Sequence, residues 1–268
     1  MIIENCNLEK ILLSGQSYNI KKVEDIRYIV KCGNRSVECL QLADDIMVRC
    51  SQEEESFWCK YFDVGYDYKN FWDKGIHDEN TFIVKAFTYA KGIRLLCNDY
   101  WECAMKILFD EYLEDPKRCF EDFCINYGSY YGFYSFPNAS RVFKESSHNF
   151  VGVMDNSELI ERIKVLSEFF SLIMNQIDFV SCMKLPTGNY EKQFNYLTSF
   201  CKLSGKEADR LILYATKDKD VFPRECSEVD YVISKIGEDE WLRLKGKFSG
   251  EIGLLWLVIY YFRCRKFV

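Results

Sequence analysis

The stretch "SFCKLSGKEADRLILYATKDKDVFPRE", residues 199–225, decides how this chain is read. Ser204 and Glu207 stand at the spacing where a hydroxyl caps a helix start and a carboxylate returns to the cap's own N–H. A helix is therefore expected to begin at Ser204, with Ala208, Leu211, Ile212 and Ala215 as its buried face. Lys206 then falls in the first turn, where the helix dipole is positive and disfavours a cation. A neutral amine is what a Schiff-base nucleophile requires. The plainer alternative is an exposed lysine tolerated at a helix start. Pro223 and Glu225 follow the helix and leave a carboxylate downstream of the lysine.

Upstream, the first third of the chain alternates. "SYNIKKV", "RYIVKC", "SVECLQL" and "DIMVRC" place apolar side chains at period two, with Cys-Gly-Asn-Arg and Ala-Asp-Asp as turns between them. That pattern predicts an antiparallel sheet. From about Glu53 the period changes to three or four. "DYWECAMKILFDEYL" carries Trp101, Ala104, Met105, Leu108 and Tyr112 on one face, with Asp99 as its cap. "NSELIERIKVLSEFFSLIMNQI" predicts a long amphipathic helix capped by Asn156 or Ser157, and another helix is expected from about Tyr190 to Cys201. The apolar run "GLLWLVIYYF", Gly253 to Phe262, is shorter than a membrane span and reads as a buried helix. The fold class is α+β, with an antiparallel sheet domain over residues 1–85 packed on a helical domain over residues 86–268.

The charge balance is acidic, 35 Lys+Arg against 41 Asp+Glu, which argues against a protein that coats nucleic acid but not against one local grip. Thirteen cysteines without a CxxC, behind an opening "MIIENCNLEK" that has no secretory h-region, predict reduced thiols inside the cell. No metal site is expected, since the ligand spacings are missing. His77 and His148 have no evident Cys or Ser partner, and "CKLSGK" lacks the phosphate-loop pattern. The aromatic segment "NYGSYYGFYSFP", residues 126–137, reads as a packed loop over the helical core, with base stacking as the alternative.

Four ordered segments resemble the 8-oxoguanine DNA glycosylase family. "NYEKQFNYLTSFCKLSGKEADRLILYATKDKDVFPRE" is similar to that family's helix-hairpin-helix and the helix after it, with Lys206 in the place of the catalytic lysine and Glu225 in that of the catalytic aspartate. "SGQSY", Ser14 to Tyr18, resembles the segment whose glycine backbone lies against the damaged base. "KGIRLLCNDYWECAMKILF", Lys91 to Phe109, resembles the helix leading into the duplex-filling residues. "FSGEIGLLWLVIYYFR" resembles the helix that closes the recognition pocket.

This resemblance implies a helix-hairpin-helix glycosylase with AP lyase activity, no cofactor, and double-stranded DNA carrying a damaged base or an abasic site as partner. It implies a monomer off the membrane, in the cytoplasm or on the nucleoid. The damaged base, an oxidised purine, would be flipped into a pocket. Lys206 would attack C1′, and Glu225 would stabilise the sugar cation or keep the lysine deprotonated. Gly15, Gln16, Leu255 and Ile259 are implied for the base pocket. Tyr112, Leu113, Lys202, Ser204, Gly205 and Arg210 are implied for DNA contact.

The chain also departs from the family's pattern. Lys202-Leu203-Ser204 replaces the hairpin's Gly-Val-Gly, whose glycines let the backbone approach a phosphate. Tyr112 and Leu113 align with an asparagine pair that reads the orphaned cytosine. Leu255 and Ile259 align with a base-reading glutamine and a stacking aromatic, and Glu225 is longer than aspartate by one methylene. These departures leave open an alternative, a catalytically degenerate homologue that keeps the fold for DNA or protein binding.

Overall fold

The computed structural model describes residues 1–174, 190–224 and 226–266. The chain forms two compact units that are not contiguous in sequence. The first comprises residues 1–30, 36–97 and 217–268, and the second residues 31–35 and 98–216. The expected boundary at residues 85/86 falls inside a helix, Thr81–Ala90. Residues 217–268 return to the unit that holds the sheet.

The strands β1 (Ile2–Ile3), β2 (Ile20–Lys22), β3 (Arg27–Cys32), β4 (Arg35–Leu42) and β5 (Asp45–Arg49) form one sheet in the order β1-β5-β4-β3-β2. The pairs β1–β5, β4–β5 and β2–β3 are antiparallel. Only Gly33 and Asn34 join β3 to β4, with Gly33 at φ +60, so that pair is a hairpin as well. The period-two pattern fixes which face is dry: Tyr28, Val30, Val37, Cys39, Ile46 and Val48 are all buried.

The helices of the first unit are α1 (Leu8–Leu13), α2 (Gln52–Tyr61), α3 (Tyr68–Ile76) and α4 (Thr81–Ala90), and then, near the end of the chain, Ser227–Ile236, Glu238–Lys247 and Ile252–Lys266. Phe71, Trp72, Phe87 and Phe248 meet ring to ring at 5.1–5.8 Å. The close approach of α3 to α4 requires Gly75, since a Cβ there would stand 1.9 Å from the Phe87 ring. Asp78, whose side chain is fully buried, accepts from Arg243 at 2.7 Å and Lys247 at 2.5 Å, so two cations compensate one desolvated carboxylate. The last helix is buried nearly all round, from Ile252 to Phe262, as its lack of a polar face dictates. No helix among the described residues is long and apolar enough to cross a membrane.

In the second unit, α5 (Tyr100–Tyr112) is central, with every residue from Trp101 to Phe109 buried. It packs against α6 (Pro116–Tyr127), α9 (Ser157–Met174) and the helix Gly205–Thr216, while α7 (Ala139–Lys144) and α8 (Ser147–Phe150) pack on α9. In chain order the remaining helices among the described residues are α10 (Tyr190–Ser199), α11 (Gly205–Thr216), α12 (Ser227–Ile236), α13 (Glu238–Lys247) and α14 (Ile252–Lys266). The caps sit where side-chain chemistry puts them. Asp99 Oδ1 accepts from the Glu102 N–H at 3.0 Å, and Asn156 Oδ1 from the Leu159 N–H at 3.0 Å. The segment 126–137 is less packed than its aromatic content suggests. Phe136 stacks on Phe120, but Tyr130, Tyr131 and Tyr134 stay exposed.

Candidate functional site

The turn between α10 and α11 alternates inward and outward. Cys201 and Leu203 are buried, while Lys202 and Ser204 face solvent. Lys202 has φ +57, a left-handed backbone that costs a non-glycine residue about 1 kcal/mol. What offsets this strain is Arg162 of α9, whose Nη2 donates to the Lys202 carbonyl at 2.7 Å. The same guanidinium forks onto Glu207, with 3.2 Å to each carboxylate oxygen. It also lies over the Tyr112 ring, 5.0 Å from the centroid, and donates to the Tyr112 hydroxyl.

Glu207 closes the expected capping box. Its Oε2 accepts from the Ser204 N–H at 2.6 Å, and its own N–H donates to Ser204 Oγ at 3.3 Å. Gly205 opens α11, and Lys206 follows in its first turn. The Lys206 side chain is 38% exposed, and its Nζ stands 3.6 Å from Glu111 Oε1 at the end of α5. One turn further along α11, Arg210 is only 7% exposed and pairs with Asp110 at 3.2 Å. Asp110 also accepts from Lys106 at 2.6 Å. Burial pulls the Lys106 amine below its usual range, and Asp110 opposes that shift. Deeper on α5, burial raises the Glu102 carboxyl to about 8, with Asp99 pushing in the same direction.

The sequence-derived DNA contacts thus divide. Lys202, Ser204, Gly205 and Lys206 lie together on the turn and the first turn of α11. Arg210 does not reach that surface, because its charge is spent in a buried pair with Asp110. Tyr112 is half-buried beneath Arg162, and its carbonyl accepts from Asn156 Nδ2 at 3.2 Å. Leu113 ends α5, its N–H donating to the Phe109 carbonyl at 3.0 Å. Glu225 lies outside the described residues.

The residues that the resemblance assigns to a base pocket belong to the first unit. Gly15 has φ +74, a conformation that suits glycine, and Tyr260 of α14 approaches it: a Cβ on Gly15 would stand 3.6 Å from the Tyr260 ring and hydroxyl. Neither Leu255 nor Ile259 comes within 4 Å of that point, and both are buried in the core. Tyr260 instead stacks on Trp256, centroids 5.2 Å apart at 24°. Trp256 Nε1 points to Glu228 Oε2 at 3.4 Å. Gln16 is buried and clamps the backbone: its amide donates to the Arg94 carbonyl at 2.9 Å and accepts from the Leu96 N–H at 2.9 Å.

Sequence reasoning missed Glu111, Arg162, Trp256 and Tyr260. The last two carried a signal, an aromatic pair four residues apart on one helix. Elsewhere in this unit, a groove of about 840 Å³ between α1, α4 and α14, lined by Lys10, Leu13, Tyr89 and Phe262 among others, contains none of the sequence-derived site residues. Among the described residues, no group of three or more His, Cys, Asp and Glu side chains could hold a metal ion.

Residues 2–104 match the family model described as the 8-oxoguanine DNA glycosylase N-terminal domain. No curated protein matches the chain by sequence. Among solved structures, that of MBOgg1 in complex with a low-affinity DNA ligand superposes with a TM-score of 0.84 at 20% identity, covering 100% of this chain and 96% of that one. The Clostridium acetobutylicum 8-oxoguanine glycosylase/lyase in complex with double-stranded DNA containing cytosine opposite 8-oxoguanine gives a TM-score of 0.81 at 19% identity, covering 100% of this chain and 96% of that one. The 3-methyladenine DNA glycosylase from Archaeoglobus fulgidus gives 0.71 at 17% identity, with both chains covered in full.

Proposed function

From the premise that the chain carries an 8-oxoguanine DNA glycosylase N-terminal domain and has the fold of those enzymes throughout, we propose that it is a DNA base-excision glycosylase with AP lyase activity. Its substrate is double-stranded DNA carrying an oxidised purine or an abasic site, and it acts as a monomer inside the cell. The observation that carries this reading is Lys206, solvent-reached in the capped first turn of α11 with a carboxylate 3.6 Å from its amine. The helix cap needs neither group there, whereas imine chemistry needs the amine and is helped by a base beside it.

The mechanism assigned to it starts with a flipped nucleotide. Lys206 Nζ, having released a proton, attacks C1′ and the base departs carrying a proton; the C1′–O4′ bond then opens with a second nitrogen proton passing to O4′, which leaves the sugar as an iminium ion. Loss of a C2′ proton then expels the 3′ phosphate and nicks the strand. Glu225 is assigned to the sugar cation during base departure. Gly15 offers its backbone along the base, beside the Tyr260 ring. Lys202 and the backbone around Ser204 and Gly205 take the phosphates flanking the flipped nucleotide.

A second reading, the degenerate homologue, is favoured by one specific observation. The hairpin carries Lys202 at positive φ with its carbonyl bonded to Arg162, which leaves the backbone less free to follow a phosphate. Incubating the protein with duplexes carrying an oxidised purine separates the two. The enzyme reading expects free base and a nicked strand; binding without either product selects the degenerate homologue.

A further inference from the structure

Two adjacent carboxylates end α5, and the structure treats them differently. Asp110 is held between Lys106 at 2.6 Å and Arg210 at 3.2 Å, so its charge is already compensated on both sides. Glu111, one residue on, is 41% exposed and points at the Lys206 amine, 3.6 Å away. That separation lies just outside hydrogen-bond reach, a common state for an acid–base pair before its substrate arrives. The two other carboxylates in the first half of α11 are committed elsewhere. Glu207 is bound by Arg162 from α9, and Asp209 accepts from the Tyr190 hydroxyl of α10 at 2.6 Å. The pairing of Lys206 with Glu111 therefore does not serve the helix cap, which Ser204 and Glu207 complete by themselves.

We propose that Glu111 is a catalytic acid–base residue that exchanges protons with the Lys206 amine during imine formation. This rests on the lysine reading above and assigns the proton transfers that reading leaves open. The steps balance with these two groups and the sugar aldehyde alone. Glu111 carboxylate takes one proton from the Lys206 ammonium, giving a neutral amine and a neutral acid. The nitrogen lone pair forms the bond to C1′ of the ring-opened abasic sugar. The carbonyl pair moves to oxygen and a proton passes from nitrogen to that oxygen, giving a carbinolamine. The Glu111 acid returns its proton to the hydroxyl, which leaves as water while nitrogen closes the C=N bond. The products are the iminium ion, one water and the restored carboxylate. Glu225 is not required for these steps, since no glycosidic bond breaks at an abasic site.

The test is single-turnover borohydride trapping on a duplex with one abasic site, protein in saturating excess, from pH 6 to 10, for wild type, Glu111→Gln and Glu111→Asp. Glu111→Gln is expected to form adduct at least tenfold more slowly near neutral pH. Its deficit should close as pH rises, because hydroxide then replaces the missing base. Glu111→Asp, which keeps the base on a shorter arm, should recover part of the rate. A half-exposed side chain is not needed for folding, and circular dichroism of each variant checks that. A rate for Glu111→Gln equal to or above wild type overturns the assignment, as does a deficit constant across the pH range. If wild type itself forms no adduct, the glycosylase/lyase reading falls and takes this assignment with it. A wild-type adduct with an unimpaired Glu111→Gln removes Glu111 alone.

Discussion

Arg162 and Glu207 face each other fork to fork, each carboxylate oxygen 3.2 Å from a guanidinium nitrogen, and this pair holds the turn that carries Lys206. Glu207 is 3% exposed, so removing its partner strands a desolvated carboxylate. Losing one member of a buried pair costs about 3–5 kcal/mol, and the partial exposure of Arg162 places this case near the lower end. Arg162→Met is expected to lower the urea midpoint by an amount equivalent to about 3 kcal/mol. It should also free the Lys202 carbonyl and raise amide exchange across residues 200–206. An unchanged midpoint would show that the fork is incidental to the turn.

Phosphate contact is expected to be local and shallow in its salt dependence. Lys202 and Lys206 reach solvent on the same turn, whereas Arg210 is sequestered by Asp110. About two neutralised phosphates should give a log–log slope near 2 in magnitude. Lys202→Gln should reduce that slope by about 1. Arg210→Gln should leave it unchanged while lowering stability, since Asp110 then loses one of its two cations. A slope that falls with Arg210→Gln would put that guanidinium at the phosphates after all.

Much of this was legible in the sequence, for identifiable reasons. Strands β2 to β5 follow from alternation, and the starts of α5, α9 and α11 follow from Asp99, Asn156 and the Ser204–Glu207 box, because these are local rules. Local rules run out at α14. That helix is apolar nearly all round, so no polar face sets its rotation, and it is Tyr260 that approaches Gly15 while Leu255 and Ile259 are buried in the core. Pairings across long stretches were equally hidden. Nothing near Lys206 announces Glu111, and nothing near Arg210 announces Asp110. The return of residues 217–268 to the sheet unit is likewise a tertiary fact that linear composition cannot carry.

Opposite-base preference is expected to be weak. Tyr112 and Leu113 offer no amide to exchange hydrogen bonds with a base edge, and the Tyr112 hydroxyl is already bonded to Arg162. Single-turnover nicking of one oxidised purine opposite each of the four bases should vary by less than about tenfold. A hundredfold preference for cytosine would mean that other residues read that base.

Stability should fall through Glu102 as pH rises from the ordinary carboxylate range to about 8. Its folded-state carboxyl is raised to about 8 by burial and by Asp99, whereas the unfolded chain titrates near the ordinary carboxylate value. Between those two values the folded state holds a proton that the unfolded state has released, so stability declines as pH rises through that window and levels off above about 8. Glu102→Gln removes the titration. Urea melts at pH 5 and pH 8 should show wild type losing on the order of 1–3 kcal/mol more than the variant. Parallel loss in both proteins would exclude a buried neutral Glu102.

The central claim is that Lys206 is a nucleophile, and the most direct measurement is the mass of a borohydride-reduced conjugate with an abasic duplex, mapped to a residue by peptide sequencing. Wild type is expected to give one conjugate with the sugar on Lys206, and Lys206→Gln none, with an unchanged far-ultraviolet spectrum and unchanged melting. DNA that binds but leaves no conjugate, or a conjugate on another lysine that persists in Lys206→Gln, would contradict the account.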